Sequence, residues 1–357
     1  MEEKGKKGRM DYTLLLIVVL LVVIGLVILY STSAYNGQVK FHDSFYYLKK
    51  QAFATVLGIV LMLFVAGMDY HIWQRLAVFG YLAAVALSVA VMLFGREING
   101  SKRWLALGPF SFQPSEFAKV ALILFLADLV TKNVKTIGKM WTLCRIMFWI
   151  LPIVGFVGAS NLSTAIIILG IGVILIFVAS PKYAQFALMG IAGACFMGIF
   201  LALESYRLER LAIWRNPEKY EKGYQTLQGL YAIGSGGVFG VGIGNSVQKL
   251  GFVPEAQNDM IFSIICEELG LAGAGIIVFL FLLLIWRFFL IASGSRDLFG
   301  ALIATGAMAH MMIQVILNIA VVTNTIPNTG ITLPFISYGG TSVMFLLIEM
   351  GLVLSVS

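Results

Sequence analysis

Charge is scarce in this chain. Asp, Glu, Lys and Arg make up 12% of its 357 residues, about half the ~25% of an average soluble domain, so a solvated globular surface of that size is excluded. Cysteine and histidine are scarcer still, with three of each. Cys144, Cys195 and Cys266 fall in apolar segments, and His42, His71 and His310 lie far apart without ligand spacing. No disulfide framework or metal cluster is suggested. Internal repeats and low-complexity linkers are absent too, so residues 1–357 read as one membrane domain.

What fills the chain is apolar residue, 59% of the total. Spanning a bilayer takes about 20 mostly apolar residues. Such runs occur at about 12–31, 48–67, 74–94, 113–130, 142–159, 162–180, 184–203, 260–287, 298–323 and 339–356. The expected fold is all-α and polytopic, with ten transmembrane helices and a large loop, 204–259, before the eighth. The basic start at Lys4, Lys6, Lys7 and Arg9 resembles a signal peptide, but the apolar run behind it is too long, so a retained first span is expected. With the N-terminus inside, twelve basic residues fall in inner segments and six in short outer loops, as the positive-inside bias requires. Both termini are then cytoplasmic and the long loop is extracytoplasmic. Its own basic residues, within a formal net charge of +7, suit an anionic ligand or lipid head groups.

Several outer segments carry candidate chemistry. Gly95–Trp104 contains Lys102 and Arg103, and Gln113-Pro-Ser-Glu116-Phe-Ala-Lys119 follows. Pro114 suits a first helical turn, which places Glu116 where the helix dipole favours an anion. Glu116 and Lys119, three apart, share a helix face, either as a structural ion pair or as part of a site. The long loop supplies Arg207, Arg210, Arg215, Lys219, Lys222 and Lys249, with a glycine-rich run from Gly234 to Gly244 that permits close backbone approach. At its end Asp259 stands just before an apolar run. It could be a helix N-cap or a general base whose pKa is raised by partial desolvation. Along that helix Glu267 and Glu268 lie about 80° and 180° from it, so basic partners elsewhere are expected for them. The last outer loop, Asn324–Ser342, has two prolines and three glycines, a broken backbone that at membrane depth lines a cavity. Gln314 and Asn318, four apart in the preceding span, are expected to make helix–helix hydrogen bonds.

These residues carry a resemblance. Gly100-Ser-Lys-Arg-Trp104, Gln113–Lys119, Tyr206-Arg-Leu-Glu-Arg210, Gly244–Leu250, Pro254–Asp259 with Glu267-Glu-Leu-Gly270, and Thr332–Gly340 resemble, in order, the motifs of the SEDS family of RodA, FtsW and SpoVE. Gly330-Ile-Thr-Leu-Pro334 and Asn245–Leu250 look more like its FtsW/SpoVE branch. The resemblance implies ten spans and a peptidoglycan glycosyltransferase that polymerises lipid II, releasing undecaprenyl pyrophosphate, in cell division or sporulation. It implies a class B penicillin-binding protein, lipid II with the nascent glycan strand, and other divisome membrane proteins as partners, with no nucleic acid. By the same resemblance Asp259 is the catalytic aspartate. Arg103, Glu116, Lys119, Arg210, Lys249 and Ser337 are substrate-binding candidates, and the metal ligands are unassigned. No organic cofactor is expected, and a divalent cation, Mg²⁺ or Mn²⁺, would travel with the substrate pyrophosphate. Gln257 stands where many members have His, and Asn161 where many have an acid. Two other classes compete: a flippase or transporter of lipid-linked precursors, and a non-catalytic divisome scaffold.

Overall fold

The computed structural model describes residues 10–98, 101–107, 110–187, 190 and 211–357. Its helices are α1 (Tyr12–Phe41), α2 (Tyr46–Ala66), α3 (His71–Phe94), α4 (Pro114–Asn133), α5 (Met140–Ser160), α6 (Leu162–Ala179), α7 (Tyr224–Ser235), α8 (Ile261–Gly294), α9 (Leu298–Val322) and α10 (Gly340–Val356). Residues 183–187 are also helical. The rest of the expected 184–203 span lies almost wholly outside the described residues. Among those described, seven helices are long and apolar enough to cross a membrane.

Local chemistry sets the helix ends. Asp11 caps α1 by accepting from Leu14 N at 2.9 Å, and Asp297 caps α9 by accepting from Gly300 N at 2.8 Å. Asn161 caps α6, accepting from Thr164 N at 3.2 Å. Pro114 opens α4, as expected, with Glu116 in its first turn. That helix is the hub of the bundle, touching α3, α5, α6, α9 and α10. It is buried along most of its length although it carries Glu116 and Lys119. Asp11 N donates to Ser357 Oγ at 3.1 Å and Arg287 pairs with Asp11, so the start of α1, the later part of α8 and the end of α10 share one end of the bundle.

Two of the segments read as loops are more ordered than expected. Residues 96–112 form a small antiparallel sheet, β1 (Arg96–Ile98), β2 (Ser101–Leu107) and β3 (Phe110–Phe112), in the order β1-β2-β3. Glu97 sits opposite Lys102 and Leu105 opposite Phe112. The Asn99-Gly100 pair in the sequence is a strong hairpin signal that explains it. The long loop holds the two-turn-and-more helix α7, preceded by two short 3₁₀ turns at Pro217–Lys219 and Glu221–Gly223.

α8 is not one helix. Gly270 has φ 66° and ψ −169°, which breaks it into a half-helix, 261–269, and a spanning part from Leu271 onwards. Breaking a helix frees N–H and C=O groups that must be paired inside a membrane. The glycine-rich loop pairs them: Val241 N and Gly242 N donate to Glu267 O (2.9 Å) and Glu268 O (3.0 Å). Leu271 N and Ala272 N donate to Gly237 O and Val238 O, both at 2.9 Å. Only glycine fits this approach. A Cβ on Gly240 would stand 2.2 Å from Glu268 O, and one on Gly270 2.4 Å from Gly240 N. The glycines thus serve close approach, as their composition suggested, but towards the chain's own helix.

Candidate active site

Asp259 lies at the mouth of the half-helix, two residues before its first residue, Ile261. Met260 is the N-cap residue and no side chain caps this end, so Asp259 is not the N-cap that its position allowed. Its carboxylate has other company: Gln225 of α7 approaches Oδ1 through Nε2 at 3.4 Å. Burial pushes the Asp259 carboxyl up to about 6, and the nearby charge of Glu255 pushes the same way against hydrogen bonds from Gln225 and local backbone N–H groups. A carboxyl poised there is ionised at neutral pH yet basic enough to accept a proton, which suits a general base.

The backbone around Asp259 is fixed by the loop between α9 and α10, residues 323–339. Asn318 Nδ2 of α9 donates both to Asp259 O (2.9 Å) and to Ile331 O (2.7 Å). Ser337 Oγ donates to Asn258 O at 2.7 Å and accepts from Leu333 N at 2.8 Å. Tyr338 N donates to Gln257 O at 2.9 Å, and Asn36 Nδ2 of α1 to Gln257 Oε1 at 3.0 Å. The same loop reaches the rest of the Asp259 end of the bundle. Ser163 Oγ donates to Thr329 O (2.7 Å), Trp214 Nε1 to Asn324 O (3.0 Å), and Thr341 Oγ1, just beyond it, to Ser111 O (2.8 Å). This loop, rather than the longer one, gathers the site.

Below it runs a buried polar ladder on one face of α9. His310, Gln314 and Asn318 repeat every four residues and so stack along that face. Gln314 Nε2 donates to Thr332 O at 3.0 Å, and its Oε1 accepts from Lys119 Nζ at 3.3 Å. His310 bridges Gln314 Oε1 (2.9 Å) and Glu349 Oε2 (2.8 Å). Lys119 and Glu116 form an ion pair at 3.1 Å, both nearly inaccessible, and Ser342 Oγ donates to Glu116 at 2.9 Å. The expected helix–helix role of Gln314 and Asn318 is therefore corrected in part: both spend their amide donors on loop carbonyls, and only Gln314 also links helices.

The other sequence candidates separate. Arg103 is half-buried, and its Nε donates to Ser160 O at 3.1 Å. It borders a small cleft with Ser115, Phe156 and Asn161 between α3, α4 and α5. Lys249 does not face the mouth: its buried ammonium pairs with Glu268 Oε1 at 2.6 Å and reaches Ser31 Oγ of α1 at 3.1 Å. A charge desolvated that far is held by its partner, so in this structure the Lys249 ammonium serves the broken helix. Glu268 thus has the basic partner expected of it. Among the described residues Glu267 has no basic partner and takes Ser246 Oγ (2.5 Å) and Val247 N (3.0 Å). Ser337, the substrate-binding candidate of the last loop, spends its hydroxyl on backbone as a loop brace. Arg210 lies outside the described residues. Residues that sequence reasoning missed are Gln225, Glu255 and Ser342. Gln225 had a signal, as a polar residue on the apolar-rich helix α7.

Among the described residues no three His, Cys, Asp or Glu side chains gather as a metal cage. Asp259 and Glu255 are the carboxylates near each other at the mouth, a donor set that fits a cation brought largely by its ligand rather than a resident one.

Comparison with known proteins fits this geometry. The family model of the cell cycle proteins FtsW, RodA and SpoVE matches residues 12–357. Stage V sporulation protein E of Bacillus subtilis is 40% identical over 99% of this chain and 98% of its own. A probable peptidoglycan glycosyltransferase FtsW of Trichlorobacter lovleyi is 35% identical over 97% and 93%. Among solved structures, a chain of a peptidoglycan synthase complex, described as coordinating polymerization and crosslinking, superposes with a TM-score of 0.84 at 29% identity, covering 98% of both chains. The rod shape determining protein RodA of Thermus thermophilus gives 0.73 at 28% identity over 98% and 97%. With a family model matched over residues 12–357 and full-length relatives at 35–40% identity, the chain belongs to the SEDS family, that of FtsW, RodA and SpoVE.

Proposed function

We infer that this chain is a peptidoglycan glycosyltransferase that polymerises lipid II into glycan strands in cell division or sporulation. The observation that carries the chemistry is Asp259, a carboxyl near pKa 6 at the mouth of a broken helix, braced by Gln225 and by Asn318. Asp259 accepts the proton of the acceptor sugar's 4-hydroxyl. The freed oxygen lone pair forms the new bond to C1 of the donor, and the C1–O bond to phosphate breaks with its electron pair. Undecaprenyl pyrophosphate leaves and the donor centre is inverted. Arg103 is the described cation we assign to the developing phosphate charge. Arg210 is a second candidate by sequence. A divalent cation on the pyrophosphate would add Lewis-acid stabilisation, with Asp259 and Glu255 as the carboxylates within its reach.

The chain is a multi-pass membrane protein. In our assignment the end of the bundle with Asp259 is extracytoplasmic, both termini are cytoplasmic, and a class B penicillin-binding protein cross-links the product. Purified protein with labelled lipid II, with and without such a partner, tests this reading. Glycan chains are expected. Movement of lipid II across vesicle membranes without any polymer would favour a transporter instead.

A further inference from the structure

The glycine-rich segment 234–244 has one side committed and one side bare. Its backbone closes the broken part of α8 through four hydrogen bonds. Facing away from that pairing are Val238, Phe239, Val241 and Ile243, between 43% and 83% exposed. No charged residue occurs anywhere between Lys222 and Lys249. A contiguous exposed apolar surface of this kind calls for an occupant.

α8 serves as a ruler for what that occupant is. Arg287, paired with Asp11 at the end of the bundle that holds both chain ends, marks where charge begins. Between it and Gly270 α8 has no charged residue. Those 17 residues (287 minus 270) rise about 25 Å at ~1.5 Å each, short of the ~30 Å of a bilayer's hydrocarbon core. Residues 237–242, hydrogen-bonded to 267–272, therefore sit inside the hydrocarbon boundary on the Asp259 side. Leu271, 71% exposed beside them, is at the same depth. Non-helical backbone is tolerated there only when its polar groups are paired, and here α8 pairs them. An aqueous partner domain would meet a polar and charged rim, whereas this surface is edged only by the uncharged Ser235 and Asn245.

We propose that segment 234–244 is a membrane-seated hairpin whose Val238, Phe239, Val241 and Ile243 rest among lipid acyl chains of the leaflet on the Asp259 side. It would anchor the half-helix that presents Asp259 at a fixed depth. The inference stands apart from the reaction assigned above, because it rests on depth and exposure alone.

The test uses full-length protein in lipid nanodiscs, with Cys144→Ser and Cys195→Ser leaving the buried Cys266. A nitroxide is placed at Phe239→Cys, in separate samples at Ile243→Cys, and at Lys222→Cys as an aqueous reference. At 239 and 243, collisions with dissolved oxygen should exceed those with a water-soluble nickel chelate several-fold, with the reverse at 222. Two positions keep the test decisive if one label disturbs the loop. Nickel-dominated collisions at both positions would overturn the proposal in favour of an aqueous surface. Exclusion of both reagents would overturn it in favour of a covering protein.

Discussion

Asn318 holds Asp259 by its backbone: one side-chain amide donates to the carbonyls of Asp259 (2.9 Å) and Ile331 (2.7 Å). Two loops far apart in sequence thus meet on a single buried side chain at the end of α9. Asn318→Leu keeps the bulk and removes the donor, leaving both carbonyls unpaired. A displacement of the base by about 1 Å costs on the order of 10² in rate. Turnover at saturating lipid II should fall by that order, while the protein still purifies as a folded species. Unchanged turnover would show that the brace does not position the base.

The pH dependence follows from the Asp259 carboxyl, which burial raises to about 6. The base acts when ionised, so activity should rise with pH through about 6 and level off above it. Below that, it should fall about tenfold per unit. Gln225→Leu removes a donor that favours the ionised form, and its midpoint should move to higher pH. A rate–pH profile for both proteins checks the direction.

The Glu116–Lys119 pair separates structure from chemistry. Glu116→Gln strands a buried ammonium, a change that costs about 3–5 kcal/mol, so poor yield or a lowered thermal midpoint is expected. Glu116→Gln combined with Lys119→Met removes both charges and should recover folding. Polymerisation by that double variant, measured against its folded fraction, tells whether the pair has a part beyond holding α4 to α9 and α10.

Two glycines of one loop should behave differently. Gly240→Ala drives a methyl group to 2.2 Å from Glu268 O and should prevent assembly of the broken helix. Gly237→Ala has the same kind of positive φ, 55°, but meets nothing within 4 Å. It should cost only about 1–2 kcal/mol. Thermal melting of the two variants in detergent compares them.

Much of the fold was legible because a bilayer leaves few options: apolar runs of spanning length become helices. Boundaries failed where polar residues find partners only in the folded protein. α1 continues to Phe41 rather than ending near 31 because Ser31 bonds Glu268, and Thr32 bonds Ile28 O within the helix. The break at Gly270 was hidden inside an apolar run, since hydropathy does not register φ. In the site, Asp259 stood out as a charge at the edge of a span. Lys249 and Glu268 were both visible as charges, but their pairing depends on a half-helix that no spacing encodes. The bracing by Asn318 and Ser337 joins residues up to 79 apart, a tertiary relation beyond local pattern.

The most direct measurement compares wild type with Asp259→Asn, each with and without a class B penicillin-binding protein, on labelled lipid II. The substitution keeps the size and hydrogen-bonding reach of the side chain and removes the base. Glycan synthesis should drop by about 10²–10⁴-fold while lipid II binding persists. Long glycan made at the wild-type rate by Asp259→Asn would contradict the account.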